Sequence, residues 1–199
     1  MTKTDKIGIY AGTFDPVHSG HIAFALQAAQ AAGLDKVYFL PERRPRAKQD
    51  AEHFGHRVAM LRQALKPHPK LELLESVEAS FSVRRTLPQL KKRFDGKQLV
   101  FLMGSDVARR LADWPDAAKL VKDSEFVIGI RSRDSRPAIR EAVEAWPARP
   151  RTVTMFDSFA PAVSSGIVRE ALRAGKVAAP GLLSSVERYS DRNWLYVSL

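Results

Sequence analysis

Residues 7–21 read Ile-Gly-Ile-Tyr-Ala-Gly-Thr-Phe-Asp-Pro-Val-His-Ser-Gly-His, and this stretch decides the fold. Its first four residues form a short apolar run of strand type. Its end opens onto Ile22–Ala32, an alanine-rich segment with helical periodicity. A glycine turn and two histidines therefore sit where a strand hands over to a helix. The start of a helix offers unpaired N–H groups and a partial positive charge, which suit an anion. Gly12 lets backbone approach a ligand closely. His18 and His21 lie three residues apart, so both can face whatever occupies the helix end. A simple turn would use Gly, Asp and Pro but has no need of paired imidazoles, and the combination points to a polyphosphate.

Outward from this junction the pattern repeats. Short apolar runs read as strands at Ile7–Tyr10, Lys36–Leu40, Leu71–Leu74, Gln98–Met103, Glu125–Ile130 and Thr152–Phe156. Helical patterns fall at Gly20–Ala32, Phe54–Leu65, Val83–Phe94, Asp106–Leu111, Asp116–Val121, Ala138–Trp146, Ser165–Ala174 and Leu183–Tyr189, and the polar stretch Ser132–Pro137 reads as a loop. Alternation of this kind predicts an α/β fold whose mainly parallel sheet carries helices on both faces. Right-handed crossovers make it doubly wound and Rossmann-like. No repeat, low-complexity tract or linker interrupts the 199 residues, so one domain spanning 1–199 is expected.

In a parallel sheet the carboxyl ends of the strands share one rim, and ligands bind there. The first strand leads to Gly12–His21 and the second to Pro41-Glu-Arg-Arg-Pro-Arg-Ala-Lys48. The fourth leads to Gly104-Ser-Asp106, the fifth to Arg131 and Arg133, and the sixth, after a short loop, to Val163-Ser-Ser-Gly-Ile-Val-Arg169. Histidines, a lysine, arginines, serines and an aspartate thus converge on a single edge, as a phosphate-rich cleft requires.

Composition bounds the remaining choices. The net charge of +10 suits an anionic partner, either nucleic acid or phosphorylated small molecules. The basic residues are scattered in small groups, with no basic tail and no basic block interleaved with aromatics, which favours small molecules over nucleic acid. A basic nucleic-acid module on a Rossmann-like core would explain the charge but not the two histidines. There is no cysteine, hence no disulfide and no thiol nucleophile. No apolar run approaches the roughly 20 residues that span a bilayer, and Met1–Lys6 lacks a secretory pattern, so a cytoplasmic protein without a membrane partner is expected. No clustered carboxylates are placed to cage a metal.

Ala11–His21 resembles the Gly-Thr-Phe-Asp-Pro-x-His-x-Gly-His signature of the nucleotidylyltransferase superfamily. Val163-Ser-Ser-Gly-Ile-Val-Arg169 resembles its second signature, Ile-Ser-Ser-Thr-x-Ile-Arg, with Val163 and Gly166 in place of the first Ile and the Thr. Phe101-Leu-Met-Gly-Ser-Asp106, followed by Leu111 and Trp114, is similar to a segment of the bacterial nicotinate mononucleotide adenylyltransferases within it, and Pro180–Tyr189 with Leu195-Tyr196 resembles their closing helix.

The resemblance implies transfer of AMP from ATP to nicotinate mononucleotide, with release of pyrophosphate and formation of deamido-NAD. It implies that His18, His21, Lys48 and Arg169 are catalytic. Gly12, Thr13, Phe14, Gly104, Asp106, Ser164 and Ser165 would bind ATP, with the helical segment 164–190 completing that site. Ser80, Phe81, Ser82 and Trp114 would bind the acceptor. Magnesium would ride on the ATP phosphates. A homo-oligomer is compatible with this reading.

The chain departs from the subfamily on the acceptor side. Pro45-Arg-Ala-Lys48 stands where Pro-Pro-His-Lys is frequent. Ser80-Phe-Ser-Val-Arg-Arg-Thr-Leu87 replaces Ser-Tyr-Thr-x-x-Thr-Leu with one residue more, and Arg131-Ser-Arg replaces Arg-Pro-Gly. Nicotinamide mononucleotide or phosphopantetheine therefore remains an alternative acceptor.

Overall fold

The computed structural model describes residues 5–46, 48, 50–131, 134–159, 163–175 and 180–197. The chain runs β1 (Lys6–Gly12), α1 (Ser19–Ala32), β2 (Lys36–Pro41), α2 (Phe54–Leu65), β3 (Leu71–Leu73), α3 (Val83–Arg93), β4 (Gln98–Gly104) and α4 (Ser105–Ala108). A 3-10 turn at Leu111–Asp113 follows, then α5 (Ala117–Asp123), β5 (Glu125–Ile130), α6 (Arg136–Glu144), β6 (Val153–Asp157), α7 (Ser165–Arg173) and α8 (Ser184–Arg192).

The six strands form one sheet in the order β3-β2-β1-β4-β5-β6, and every neighbouring pair is parallel. Central strands are apolar without alternation because both their faces are covered: Leu99–Met103 and Phe126–Ile130 are buried throughout. On one face α1 and α2 pack Ala25, Ala28, Met60 and Leu61 against Val37, Phe39, Val100 and Val127. On the other, α3, α5 and α6 pack Leu87, Leu120 and Ile139 against Ile9, Phe101 and Ile128. This is the doubly wound, Rossmann-like sheet expected from the alternation.

The order of the strands reverses between β1 and β4, where one crossover leads to β2 and the other to β5. Divergence of the two chains at that point opens a crevice at the carboxyl rim. The stretch after β1 and the stretch after β4 line its two sides.

Two elements depart from expectation. The loop expected at Ser132–Pro137 ends earlier, because α6 begins at Arg136. Ser135 caps it by accepting a hydrogen bond from Ala138 N (3.4 Å), and Pro137 fits its first turn; Ser132 and Arg133 lie outside the described residues. The helix expected at Asp106–Leu111 stops at Ala108. Trp146 Nε1 donates to the Ala108 carbonyl (2.9 Å), and the 3-10 turn carries Leu111 fully into the core.

Candidate active site

The site begins where β1 ends. Phe14 lies in left-handed backbone at φ 51° and folds its buried ring back over Gly12, so closely that a Cβ there would stand 3.0 Å from Phe14 Cζ. The Asp15–Pro16 peptide is cis. His18 then takes the N-cap position of α1 in extended conformation. Its N–H donates to Nδ1 of His21 (3.2 Å), and the two rings lie 3.7 Å apart at 31°. Because His21 Nδ1 accepts, a neutral His21 carries its proton on Nε2 and presents an N–H donor there. His18 is only 5% exposed, and its Nδ1 has no hydrogen-bond partner among the described residues. Gly20 makes the pairing feasible: a Cβ at that position would lie 3.0 Å from Cε1 and Nδ1 of His18.

Burial and neighbouring cations keep both rings uncharged. Desolvation, reinforced by the Arg131 guanidinium, lowers the His18 pKa to about 4. Desolvation also holds His21 well below its ordinary value, helped by His18, Lys48 and Arg131. Lys48 itself is exposed. Tyr10, on β1 beside His21, is pushed up by burial and stays a neutral phenol.

The turn between β1 and α1 is held from three directions. Arg169 of α7 donates from Nη1 to the Asp15 carbonyl (2.6 Å) and lies 3.6 Å from Asp15 Oδ2. Ser165, at the start of the same helix, donates from Oγ to the Pro16 carbonyl (3.0 Å). Tyr196 donates its hydroxyl proton to Asp15 Oδ1 (2.6 Å), and both groups are buried. Behind the turn Arg57 of α2, 1% exposed, donates to the carbonyls of Thr13 (2.7 Å), Glu42 (2.8 Å), Arg43 (3.1 Å) and Glu52 (2.8 Å). Burial opposes the Arg57 charge, and the Asp15 carboxylate is the foremost influence sustaining it.

Across the crevice, Asp106 folds back toward Gly104, so that a Cβ on Gly104 would meet Asp106 Oδ1 at 2.7 Å. That oxygen is buried without a hydrogen bond among the described residues, 3.8 Å from Nη2 of Arg131. Two buried polar atoms without partners among the described residues, His18 Nδ1 and Asp106 Oδ1, thus flank the crevice, each suited to hydrogen-bond a ligand.

At the edge where the acceptor is expected from the sequence, Phe81 of the 80–82 loop lies beside Trp114. Its ring lies 6.0 Å from Trp114 at 51° and packs edge-on to Phe101 at 5.7 Å. Its N–H donates to Glu42 Oε1 (3.1 Å). Ser80 Oγ and the Phe81 carbonyl both accept from Arg46, while Ser82 donates its N–H to Thr86 Oγ1 (3.0 Å) at the start of α3.

Of the residues singled out in the sequence, His18, His21, Ser165 and Arg169 are gathered around one turn. Gly104 and Asp106 stand at the neighbouring strand end, and Phe81 and Trp114 form an aromatic edge with Ser80 preceding Phe81 in the chain. Ser164 spends its hydroxyl on the cap of α7, accepting from Ile167 N (3.2 Å). Arg57 and Tyr196 were not anticipated as part of the site. Arg57 leaves a trace in the sequence, since with Leu61, Ala64 and Leu65 it falls on the buried stripe of α2, where a charge is out of place. Tyr196 leaves none.

A central crevice of a doubly wound sheet, with imidazoles at one helix start and a guanidinium reaching that turn, defines a class of nucleotide-handling protein. A family model described as cytidylyltransferase-like matches residues 9–171, and the chain belongs to that family. Nicotinate-nucleotide adenylyltransferase of Bacillus subtilis is 34% identical to it over 198 residues, covering 97% of this chain and 99% of that protein. Among solved structures, Plasmodium falciparum nicotinic acid mononucleotide adenylyltransferase complexed with NaAD superposes with a TM-score of 0.79 at 20% identity, over 96% of this chain and 97% of that one. The same enzyme complexed with APC gives 0.76 at 19% identity with the same coverage.

Proposed function

We infer that the chain is a nicotinate-nucleotide adenylyltransferase. It moves AMP from ATP to nicotinate mononucleotide, releases pyrophosphate and forms deamido-NAD. The observation that carries this reading is the stacked pair His18 and His21 at the start of α1, tied through Asp15 to Arg169 of α7. The near-complete coverage of the Bacillus subtilis relative supports the choice of acceptor.

In this reaction a phosphate oxygen of the acceptor forms a bond to the α-phosphorus of ATP, and the bond from that phosphorus to the bridging oxygen of pyrophosphate breaks. The nucleophile is already an anion, so the protein supplies position and charge stabilisation rather than a base. His21 and His18 donate hydrogen bonds to oxygens of the α- and β-phosphates. Lys48 and Arg169 stabilise the departing pyrophosphate, with Ser164 and Ser165 at the start of α7 beside them. Gly12, Thr13 and Phe14 shape the backbone against the phosphates, and Gly104 and Asp106 hold the adenosine. Ser80, Phe81, Ser82 and Trp114 receive the pyridine ring. Residues 1–199 act as one unit in which the segment 164–190 completes the ATP site.

Among the described residues no group of three or more His, Asp or Glu side chains could hold a metal ion by itself. Magnesium would accompany the ATP phosphates, where it would supply charge neutralisation.

Pyrophosphate release, measured with ATP, magnesium and each of nicotinate mononucleotide, nicotinamide mononucleotide and phosphopantetheine, tests the reading. Fastest turnover is expected with the first. Preference for phosphopantetheine would reassign the acceptor, and release with none of the three would overturn the reading.

A further inference from the structure

We propose that Arg46 selects the acceptor, taking the carboxylate on its pyridine ring and so favouring nicotinate over nicotinamide mononucleotide. The proposal rests on the acceptor reading above and adds a residue to which that reading gives no role.

Arg46 lies between β2 and α2, in the stretch where this chain departs from the frequent Pro-Pro-His-Lys pattern. Its guanidinium is anchored along one edge only. Nε donates to Ser80 Oγ (3.1 Å) and Nη2 to the Phe81 carbonyl (3.0 Å). These two nitrogens form the side edge of the planar fork. Nη1, together with the second hydrogen of Nη2, forms the end edge, and no described residue accepts from it. Two parallel N–H groups in one plane match a carboxylate in bidentate geometry.

The carrier of this fork is itself fixed. Arg44 N donates to the Ala79 carbonyl (2.6 Å), joining the two loops main chain to main chain. Buried Arg57 holds the carbonyls of Glu42 and Arg43 from below. Neighbouring carboxylates are committed elsewhere: Glu42 accepts from Phe81 N, and Glu78 pairs with Arg85 (2.9 Å). Among the described residues no carboxylate is paired with Arg46, so its charge is available to a ligand.

The aromatic neighbours indicate which anionic group it meets. The residue whose carbonyl holds Nη2 is Phe81, and its ring faces Trp114. A flat heteroaromatic ring received by that pair would bring a ring substituent within reach of the end edge of Arg46. Nicotinate carries a carboxylate at this position and nicotinamide an uncharged amide, so the guanidinium gains a charge-assisted pair with the first alone.

Both mononucleotides carry the same phosphate, which makes the acceptor ratio decisive. Wild-type kcat/KM is measured for the two acceptors first, and then for Arg46→Gln and Arg46→Lys. For Arg46→Gln, kcat/KM with nicotinate mononucleotide is expected to fall about 10- to 100-fold, the range for losing a hydrogen-bonded charge. The value with nicotinamide mononucleotide should stay within about threefold of wild type, and Arg46→Lys should recover only part of the loss because it lacks the fork. An equal fall for both acceptors would place Arg46 on the shared phosphate, and an unchanged ratio with a lowered melting temperature would make it a loop staple. Either result overturns the proposal while leaving the acceptor reading intact. A wild type that does not use nicotinate mononucleotide would overturn both.

Discussion

His18 and His21 would repel each other as imidazolium ions 3.7 Å apart. Burial removes that conflict by keeping both neutral, so they can donate hydrogen bonds while Arg131 and Lys48 nearby carry positive charge. The arrangement has a cost in acid. His18 has a folded pKa of about 4 against an ordinary value of 6.5, so between those values the unfolded chain binds a proton that the folded chain does not. Stability of the ligand-free protein is therefore complete above pH 6.5 and declines as the pH falls toward 4. The loss from His18 is about 3 kcal/mol, and His21 acts in the same direction. Urea midpoints measured from pH 7.5 to 4 should show this fall, and His18→Gln should flatten it. An unchanged slope in His18→Gln would place the acid sensitivity elsewhere.

At the scale of elements, legibility followed burial. The strands were readable because two-sided burial writes them as unbroken apolar runs, as in β4 and β5. The start of α1 was readable because its chemistry is local: Gly12, His18, Gly20 and His21 act within ten residues. Features set by distant contacts were not. The end of α4 depends on Trp146, 38 residues away, and the start of α6 was masked by its own polarity even though Ser135 and Pro137 form an ordinary cap. Arg57 was obscured because its partners are backbone carbonyls, which carry no sequence signature. The α1 start also yields a test of what Gly20 is for. Alanine there would gain up to about 1 kcal/mol of helix propensity, yet its Cβ would press on the His18 ring at 3.0 Å and on Val163 Cγ1 at 3.1 Å. Gly20→Ala should keep its melting temperature within a few degrees of wild type while kcat falls at least about tenfold. Full activity with raised stability would show the glycine to be a mere spacer.

Across the whole molecule, charge and cross-links are distributed unequally between the two rims of the sheet. At the amino rim the lysines are matched by carboxylates, Lys6 with Glu125 (2.7 Å), Lys97 with Asp5 (3.0 Å) and Lys36 with Glu72. At the carboxyl rim Arg43 and Arg46 are held by carbonyl and hydroxyl oxygens, which fix their position without pairing their charge, while Arg131 stands 3.8 Å from Asp106 and Arg169 stands 3.6 Å from Asp15. Among the described residues Arg43 and Arg46 thus add unpaired positive charge at the rim where an anionic ligand is expected. The same rim is closed by contacts between the most distant parts of the chain: Asp15 meets Arg169 across 154 residues and Tyr196 across 181. The turn bearing the histidines is thus tied to the last described segment as well as to α2 and α7. Tyr196→Phe isolates this tie, because it removes one hydroxyl and preserves the ring. Losing a buried hydrogen bond to a charged group costs about 1.5–3 kcal/mol, which for a chain of this size lowers the melting temperature by roughly 3–12 °C. If the tie also orients the site, kcat at saturating ATP should fall in the same variant, assayed well below its new melting temperature. Lowered stability with unchanged kcat would confine Tyr196 to holding the fold, and the histidine turn would then owe its placement to Arg57, Ser165 and Arg169.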